Sequence, residues 1–391
     1  MKIEMLHEDL EKLVNQNNNI KKINDSFYLD IASLVPAFYP YTKGKFFIEK
    51  IKDKVKIFYK NVGHVSPTPI VVPKYIPLGE NFFENIGLYI AEGQTSMQTN
   101  SKKLTKFSNS DSELINSFLN FLESFGIQKE VLIAEIQVHE YSKFSEDKIR
   151  SNWNDKVGLP KGKLHIRWAK SQSKNKSKKL SKRFKPYGTL HVLFDSTVFK
   201  FLLMKIIEFV RKIAEEHPSV SIFILRGISA GEGGVQVNPG TGSLNRVSIS
   251  AVKPENRKFI KKLLTNIGIE KTLENTTDIF IYNYFNFIKL DNIGIFALCS
   301  SKKKLFKNTF YKLKKSKGGV PGKTQDNILK LLKHSNRLMS GKSIAWYLRF
   351  GYKGIMCELH KLEKRGLVER IKRNTIRRNE TNYLWKIVNK E

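Results

Sequence analysis

One short string occurs twice in this 391-residue chain, NIGLYIAEG at residues 85–93 and LRGISAGEG at residues 225–233. Each copy reads as the end of an apolar helix in which small residues recur four apart, followed by an acid and a glycine. Residues at i and i+4 share a helix face, so Gly87 with Ala91, and Gly227 with Gly231, form two strips free of bulky side chains. Glycine inside a helix costs about 1 kcal/mol relative to alanine, and its presence at matching positions in both copies points to a close approach of two helices. Such strips, packed together, deliver Glu92 and Glu232 side by side. Carboxylates that close repel unless a cation lies between them, and the negative ends of both helix dipoles favour the same cation. A hard divalent ion such as Mg²⁺ suits oxygen donors of this kind.

The residues that follow each copy also repeat. Gln94, Ser96 and Gln98 alternate with Thr95 and Met97, and Gly234, Gln236 and Asn238 alternate with Val235 and Val237. A period of two predicts a strand with one dry and one polar face. A second strand is expected at residues 104–108 and 246–250, with Phe107 and Ile249 on the dry side. Helices then end alike, FLNFLESFGIQK from Phe118 and FIKKLLTNIGIEK from Phe259, with Gly126 and Gly268 at the C′ position. Further strands are expected at residues 131–140, 164–169, 188–194 and 278–283, and covering helices at 198–214 and 285–296. An insert around 144–162 and the basic tract 170–185 have no counterpart in the second half.

Both strings resemble the signature of the LAGLIDADG homing endonucleases. Gly87, Leu88, Ala91, Glu92 and Gly93 match the motif's glycine, leucine, alanine, terminal acid and glycine, and Leu225, Gly227, Glu232 and Gly233 match in the second copy. Both acids are glutamate where the family more often has aspartate. The 140 residues between Glu92 and Glu232 suit single-chain members with two repeats. The resemblance implies an α+β fold, two pseudo-twofold-related αββαββα repeats whose sheets form a DNA-binding saddle. It also implies divalent-metal-dependent hydrolysis of both strands of a long, specific duplex, with Glu92 and Glu232 as catalytic acids and Ala91 and Gly231 beside them as further donors to Mg²⁺ or Mn²⁺. Saddle strands would read the groove through Gln94, Ser96, Gln98, Lys106, Gln236, Asn238, Arg246 and Ser248, since amides pair bidentately with adenine and arginine with guanine. Peripheral lysines polarise water or phosphate in such a site, and Lys106 and Lys271 are the candidates here.

Charge agrees with a polyanionic partner. Lys and Arg number 69 against 36 Asp and Glu, a net charge of +33. Self-repulsion of that size makes most sense when phosphates neutralise it. The charge is clustered, in residues 170–185 with Lys178, Lys182 and Arg183, in 301–317, and in 370–378 with Arg370, Arg373 and Arg377. The last cluster belongs to a C-terminal module. A helix with Thr324 as N-cap, a second closed by Gly351, a third with Ile355, Leu359 and Leu362 at helical spacing, and a basic hairpin returning through NYLWKIV resemble a winged helix-turn-helix. The expected organisation is an N-terminal α/β cap of unassigned role (1–78), repeat 1 (79–215), repeat 2 (216–305), a basic linker (306–323) and the winged module (324–391).

Other classes are disfavoured. Cys299 and Cys357 have neither disulfide-framework nor zinc spacing, the eight histidines show no metal spacing, and no apolar run reaches a membrane span. GGVPGKT at 318–324 has its first glycine one residue too close for a phosphate loop. Inteins also carry LAGLIDADG domains, but splicing needs an initial Cys or Ser and a terminal His-Asn pair, whereas Met1 and Asn389, Lys390, Glu391 stand here. The expectation is a cytoplasmic, monomeric, intron-encoded or solitary enzyme. The rival is a non-cleaving DNA-binding regulator, or an RNA-binding maturase, on the same scaffold; such regulators have lost the acids, which this chain keeps.

Overall fold

The computed structural model describes residues 2–37, 44–60, 67–94, 104–140, 142–169, 185–316, 323–335, 338–348, 350–372 and 383–388. The chain divides into two compact units, Met1–Thr309 and Phe310–Glu391.

In the first unit, α1 (Lys2–Gln16), β1 (Ile20–Ile23), β2 (Ser26–Asp30), α2 (Ile31–Leu34), β3 (Lys45–Ile51), β4 (Lys54–Lys60), β5 (Ile70–Pro73) and β6 (Tyr75–Pro77) precede the first motif helix. They form two three-stranded antiparallel sheets, ordered β1-β2-β6 and β3-β4-β5. Then come α3 (Glu80–Glu92), β7 (Thr105–Asn109), α4 (Ser112–Ser124), β8 (Ile133–His139), α5 (Glu146–Val157), β9 (Leu164–Ala169), β10 (Thr189–Phe194) and α6 (Thr197–Glu216). The second motif helix, α7 (Pro218–Glu232), is followed by β11 (Gly233–Val237), β12 (Leu244–Ser250), α8 (Pro254–Asn266), β13 (Thr272–Glu274), β14 (Asp278–Ile281), α9 (Tyr284–Ile293) and α10 (Ser300–Ser316).

Two four-stranded sheets follow the motif helices, ordered β7-β10-β8-β9 and β11-β12-β14-β13. Three strands of each correspond, β7, β10 and β8 taking the places of β12, β14 and β13. In one, Gly93 bridges Phe107; in the other, Gly233 pairs with Ile249, so each chain leaves its acid and pairs at once with the same strand of its sheet. Phe107, Val192 and Ala134 are fully buried on one face of the first sheet, and Val247, Ile249, Ile279 and Ile281 on one face of the second. Period-two alternation puts polar side chains on the other faces. The extra segment of the first half supplies α5 and then β9, which joins the sheet edge parallel to β8. Gly126 and Gly268 both take the left-handed conformation (φ +75° and +78°) that ends α4 and α8, which a β-carbon would strain.

The second unit holds α11 (Lys323–Ser335), β15 (Met339–Ser340), α12 (Gly341–Leu348), α13 (Tyr352–Lys364), β16 (Val368–Lys372) and β17 (Tyr383–Ile387), with the strands ordered β15-β17-β16. Ile328, Leu332, Ile344, Ile355, Leu359, Leu362, Val368 and Trp385 form its core.

Local details depart from the sequence reading. Residues 306–316, read as linker, are helical within α10, because Phe306 and Phe310, one turn apart, are both buried. Thr324 lies inside α11 rather than capping it. Gly351 is extended (φ −65°, ψ 135°) and is the N-cap of α13; it does not close α12. Residues 170–184, and most of the 318–324 glycine-rich stretch, lie outside the described residues.

Candidate paired-acid site

Helices α3 and α7 pack backbone to backbone. A β-carbon at Gly227 would fall on the Glu84 carbonyl oxygen and within 2.6 Å of the Leu88 nitrogen; one at Gly87 would strike the Ile224 carbonyl. At Gly231 it would lie 2.8 Å from Cγ of Glu92 and 2.9 Å from Cβ of Ala91. Only glycine permits this approach, and it is what brings Glu92 to the C-terminal turn of α7. Arg226 fastens the crossing: its guanidinium donates to Glu84 (2.8 Å), to Glu80 (3.0 Å) and to the Ile293 carbonyl (2.7 Å). Burial raises the Glu84 pKa, and Arg226 opposes that shift.

The glycines after the acids are required by space rather than by backbone angle. Gly93 and Gly233 are extended, but a β-carbon at Gly93 would sit 2.5 Å from the Tyr89 carbonyl oxygen, and one at Gly233 2.8 Å from the Phe296 ring. In the second copy α7 thereby passes into β11 without an intervening loop.

Glu92 and Glu232 share one electrostatic environment. Burial pushes the Glu92 carboxyl up to about 7, and repulsion from Glu232 adds to the shift. Burial raises Glu232 as well. Asn109 Nδ2 donates to Glu92 Oε1 at 3.0 Å. The main counter-charge is Lys302, from the first turn of α10. Its ammonium donates to the carbonyls of Ala230 (2.6 Å) and Gly231 (2.7 Å), where the α7 dipole is negative, and it lowers the pKa of both acids. Burial lowers the pKa of Lys302 in turn, while both acids help to keep it charged. The first turn of α10 is tied down by Ser300 N–H donating to Glu113 (2.7 Å) and by Cys299 Sγ near Asp111 (3.5 Å). A cleft of about 340 Å³ opens beside Glu232, lined by Ala91, Gln94, Ser250 and Lys253 among others.

This donor set suits a hard cation in part. Two desolvated carboxylates with raised pKa values carry more negative charge than the site relieves, which a divalent ion would correct. The Gly231 carbonyl, however, already accepts from Lys302, so a metal there would have to displace the ammonium. Among the described residues no third carboxylate, histidine or cysteine completes a cluster.

The groove-reading candidates fall into different places. Gln236 and Arg246 are cross-strand neighbours on the polar face and bond to each other; Arg246 also donates to Tyr282 Oη (2.9 Å) and lies 4.2 Å over the Phe280 ring. Lys106 stands on the open face of β7. Gln94 has its backbone held, N–H to the Lys106 carbonyl at 3.0 Å and carbonyl to the buried Lys200 and to Tyr89. Asn238 lies beyond β11, its side chain accepting from Gly240 N–H (3.0 Å) to shape the turn, whereas Ser248 is on β12 but only 8% exposed. Val235 and Val237 are half-buried rather than dry, since β11 is an edge strand with a bulge at Gln236. Arg370 pairs with Glu363 (2.9 Å) and lies over Tyr383. Ser96, Gln98, Lys178, Lys182, Arg183, Arg373 and Arg377 lie outside the described residues. Lys271, offered as a peripheral lysine, is not among the charges acting on the acids; Lys302, which the sequence reading left inside a basic tract, is. His191 joins Ser108 (2.6 Å) and Gln137 (3.1 Å) across the polar face of the first sheet.

Residues 220–298, from α7 through α9, match the profile of the LAGLIDADG-like domain family. The chain contains a LAGLIDADG-like domain. Among solved structures, the N-terminal LAGLIDADG domain of DUF199/WhiA aligns with a TM-score of 0.31 and 15% identity, covering 55% of this chain and 82% of that one. No curated protein sequence gives a significant match. The LAGLIDADG-like domain contributes Glu232 to the paired-acid site, and Glu92 comes from the preceding half of the same unit. Among the described residues no helix is long and apolar enough to cross a membrane.

Proposed function

We propose that this protein is a site-specific, divalent-metal-dependent DNA endonuclease built on two LAGLIDADG repeats. The observation that carries the reading is the meeting of Glu92 with the end of α7 at a crossing that tolerates only glycine. A protein that merely needed two helices to pack would have no reason to half-bury two repelling acids there. LAGLIDADG-like domains bind DNA, and the polar faces of the two sheets, with Lys106, Gln236 and Arg246, supply donors and acceptors for a long duplex. The net charge of +33 favours the same partner. The three helices and three-stranded sheet of the second unit support a winged helix-turn-helix, with α13 as the groove-entering helix.

In this reading Glu92 and Glu232 would hold the metal, with the Ala91 carbonyl as a further donor. Bound there, Mg²⁺ or Mn²⁺ supplies Lewis-acid activation of water and stabilises the leaving oxygen. Asn109 fixes the Glu92 carboxylate, and Lys302 offers its ammonium to phosphate once the Gly231 carbonyl is released.

A second reading, a non-cleaving DNA-binding regulator, has one observation in its favour: Lys302 already satisfies the end of α7 and serves both acids as a fixed cation. Selecting duplexes from a random library with and without Mg²⁺ separates the two. The endonuclease reading expects one long site, recovered intact without metal and cut with it. Recovery of an intact site under both conditions supports the regulator.

A further inference from the structure

The N-terminal β3-β4-β5 sheet has one face the paired-acid site does not use. Its inner face is dry, with Val55, Ile57 and Val72 buried and Phe46 stacked on Phe201 of α6 at 4.9 Å. On the outer face, the register sets Phe47 opposite Phe58, Lys45 opposite Lys60, Glu49 opposite Lys56 and Ile51 opposite Lys54. The two phenylalanine rings are nearly parallel (14°) with centroids 5.4 Å apart, and Phe47 is 39% exposed. Lys60 lies over the Phe47 ring at 5.3 Å and Lys56 over Phe58 at 5.8 Å. The sheet's open side thus carries a flat aromatic pair where alternation would ordinarily place polar groups.

We propose that this face binds single-stranded nucleic acid, with bases stacking on Phe47 and Phe58 and Lys54, Lys56 and Lys60 neutralising the phosphates. The charge decides against a basic or neutral apolar partner surface: cations surround the rings, and among the described residues the acid in their midst, Glu49, is already paired with Lys56 at 3.0 Å. Exposed aromatic faces bordered by lysines are a sequence-tolerant platform for splayed bases, which each present a π-face. In a duplex those faces are covered by neighbouring pairs, so the occupant is a single strand. The site is separate from the paired acids, and its existence does not depend on hydrolysis there.

The test uses the full-length protein and a fluorescent oligothymidylate of about 12 nucleotides, a length suited to one small binding face. An abasic deoxyribose-phosphate strand of equal length serves as the comparison. Anisotropy titrations at about 0.3 M salt suppress purely electrostatic binding. The expected result is at least about tenfold tighter binding of the strand that has bases, consistent with stacking on two rings. Phe47→Leu combined with Phe58→Leu removes that difference and leaves duplex affinity and Tm unchanged. Ultraviolet cross-linking of a bromouracil strand to the unmutated protein maps to residues 45–60, a readout that survives should the double variant misfold. Equal affinity for the two strands, or cross-links confined to other segments, overturns the proposal.

Discussion

The two halves around the acids are built alike, yet their lysines do different work. In the second half, the Lys302 ammonium sits on the Ala230 and Gly231 carbonyls just before the acid and acts on both carboxylates. In the first half, Lys200 of α6 is fully buried and donates to the Tyr89 hydroxyl (2.9 Å) and to the carbonyl of Gln94, just beyond the acid. Burial alone lowers its pKa, to about 8, so the acids do not feel it strongly. One lysine fixes the exit of a strand; the other tunes a charge centre. The site is therefore asymmetric: Glu92 is restrained by Asn109, and Glu232 lies beside the cleft.

The largest effect tests the frame itself. Gly227→Ala places a β-carbon on the Glu84 carbonyl and should destabilise the protein by about 3 kcal/mol or more, read as a large fall in Tm. Gly234→Ala meets only the Ser248 hydroxyl and should cost far less. Equal losses would mean that the helix crossing is looser than described.

Next comes the lysine pair. Lys302→Met should slow DNA cleavage by roughly 100-fold, since a fixed charge beside reacting oxygens is worth that much. It should also raise the Glu92 pKa, measurable by carboxyl NMR, because the opposing cation is gone. Lys200→Met should lower Tm and leave that pKa in place. A Lys200 variant that shifts the carboxyl as much as the Lys302 variant does would erase the distinction between the halves.

Smaller effects follow from titration and from the sheets. The folded Glu92 pKa of about 7 exceeds its ordinary 4.5, so the native state keeps a proton that the unfolded chain has released. Its stabilising contribution is complete below about pH 4.5 and is lost as pH rises to 7. Glu92→Gln, with metal chelated, should therefore raise Tm by roughly 2–5 °C at pH 8 and leave it nearly unchanged at pH 4.5. Thermal scans across that range check the sign. Arg246→Ala should weaken binding of a selected duplex by about tenfold, in keeping with one lost bidentate base contact, and Ser248→Ala by little.

What was legible in the sequence was local and periodic. The two glycine strips, the burial of Phe107 and Ile249 and the left-handed glycines 126 and 268 all follow from spacing within one element and its immediate neighbours. Asn238 lies in a turn rather than a strand, because Pro239 and Gly240, directly after it, end β11. Lys302 and the Arg370–Glu363 pair were not legible at all. Each lysine of a basic tract looks the same in sequence, and only the folding of α10 against α4 selects one of them. Asn109 escaped notice for the same reason: its distance to Glu92 is set by sheet pairing, not by chain order.

The proposal that the half-buried acid pair hydrolyses DNA is tested most directly by cleavage of a duplex selected for tight binding. With Mg²⁺, the unmutated protein should cut both strands on a denaturing gel, while Glu92→Gln and Glu232→Gln bind the same duplex and leave it whole. If the unmutated protein binds that duplex tightly and never cuts it at any Mg²⁺ or Mn²⁺ concentration, the acid pair with Lys302 is a structural charge centre and the endonuclease account is wrong.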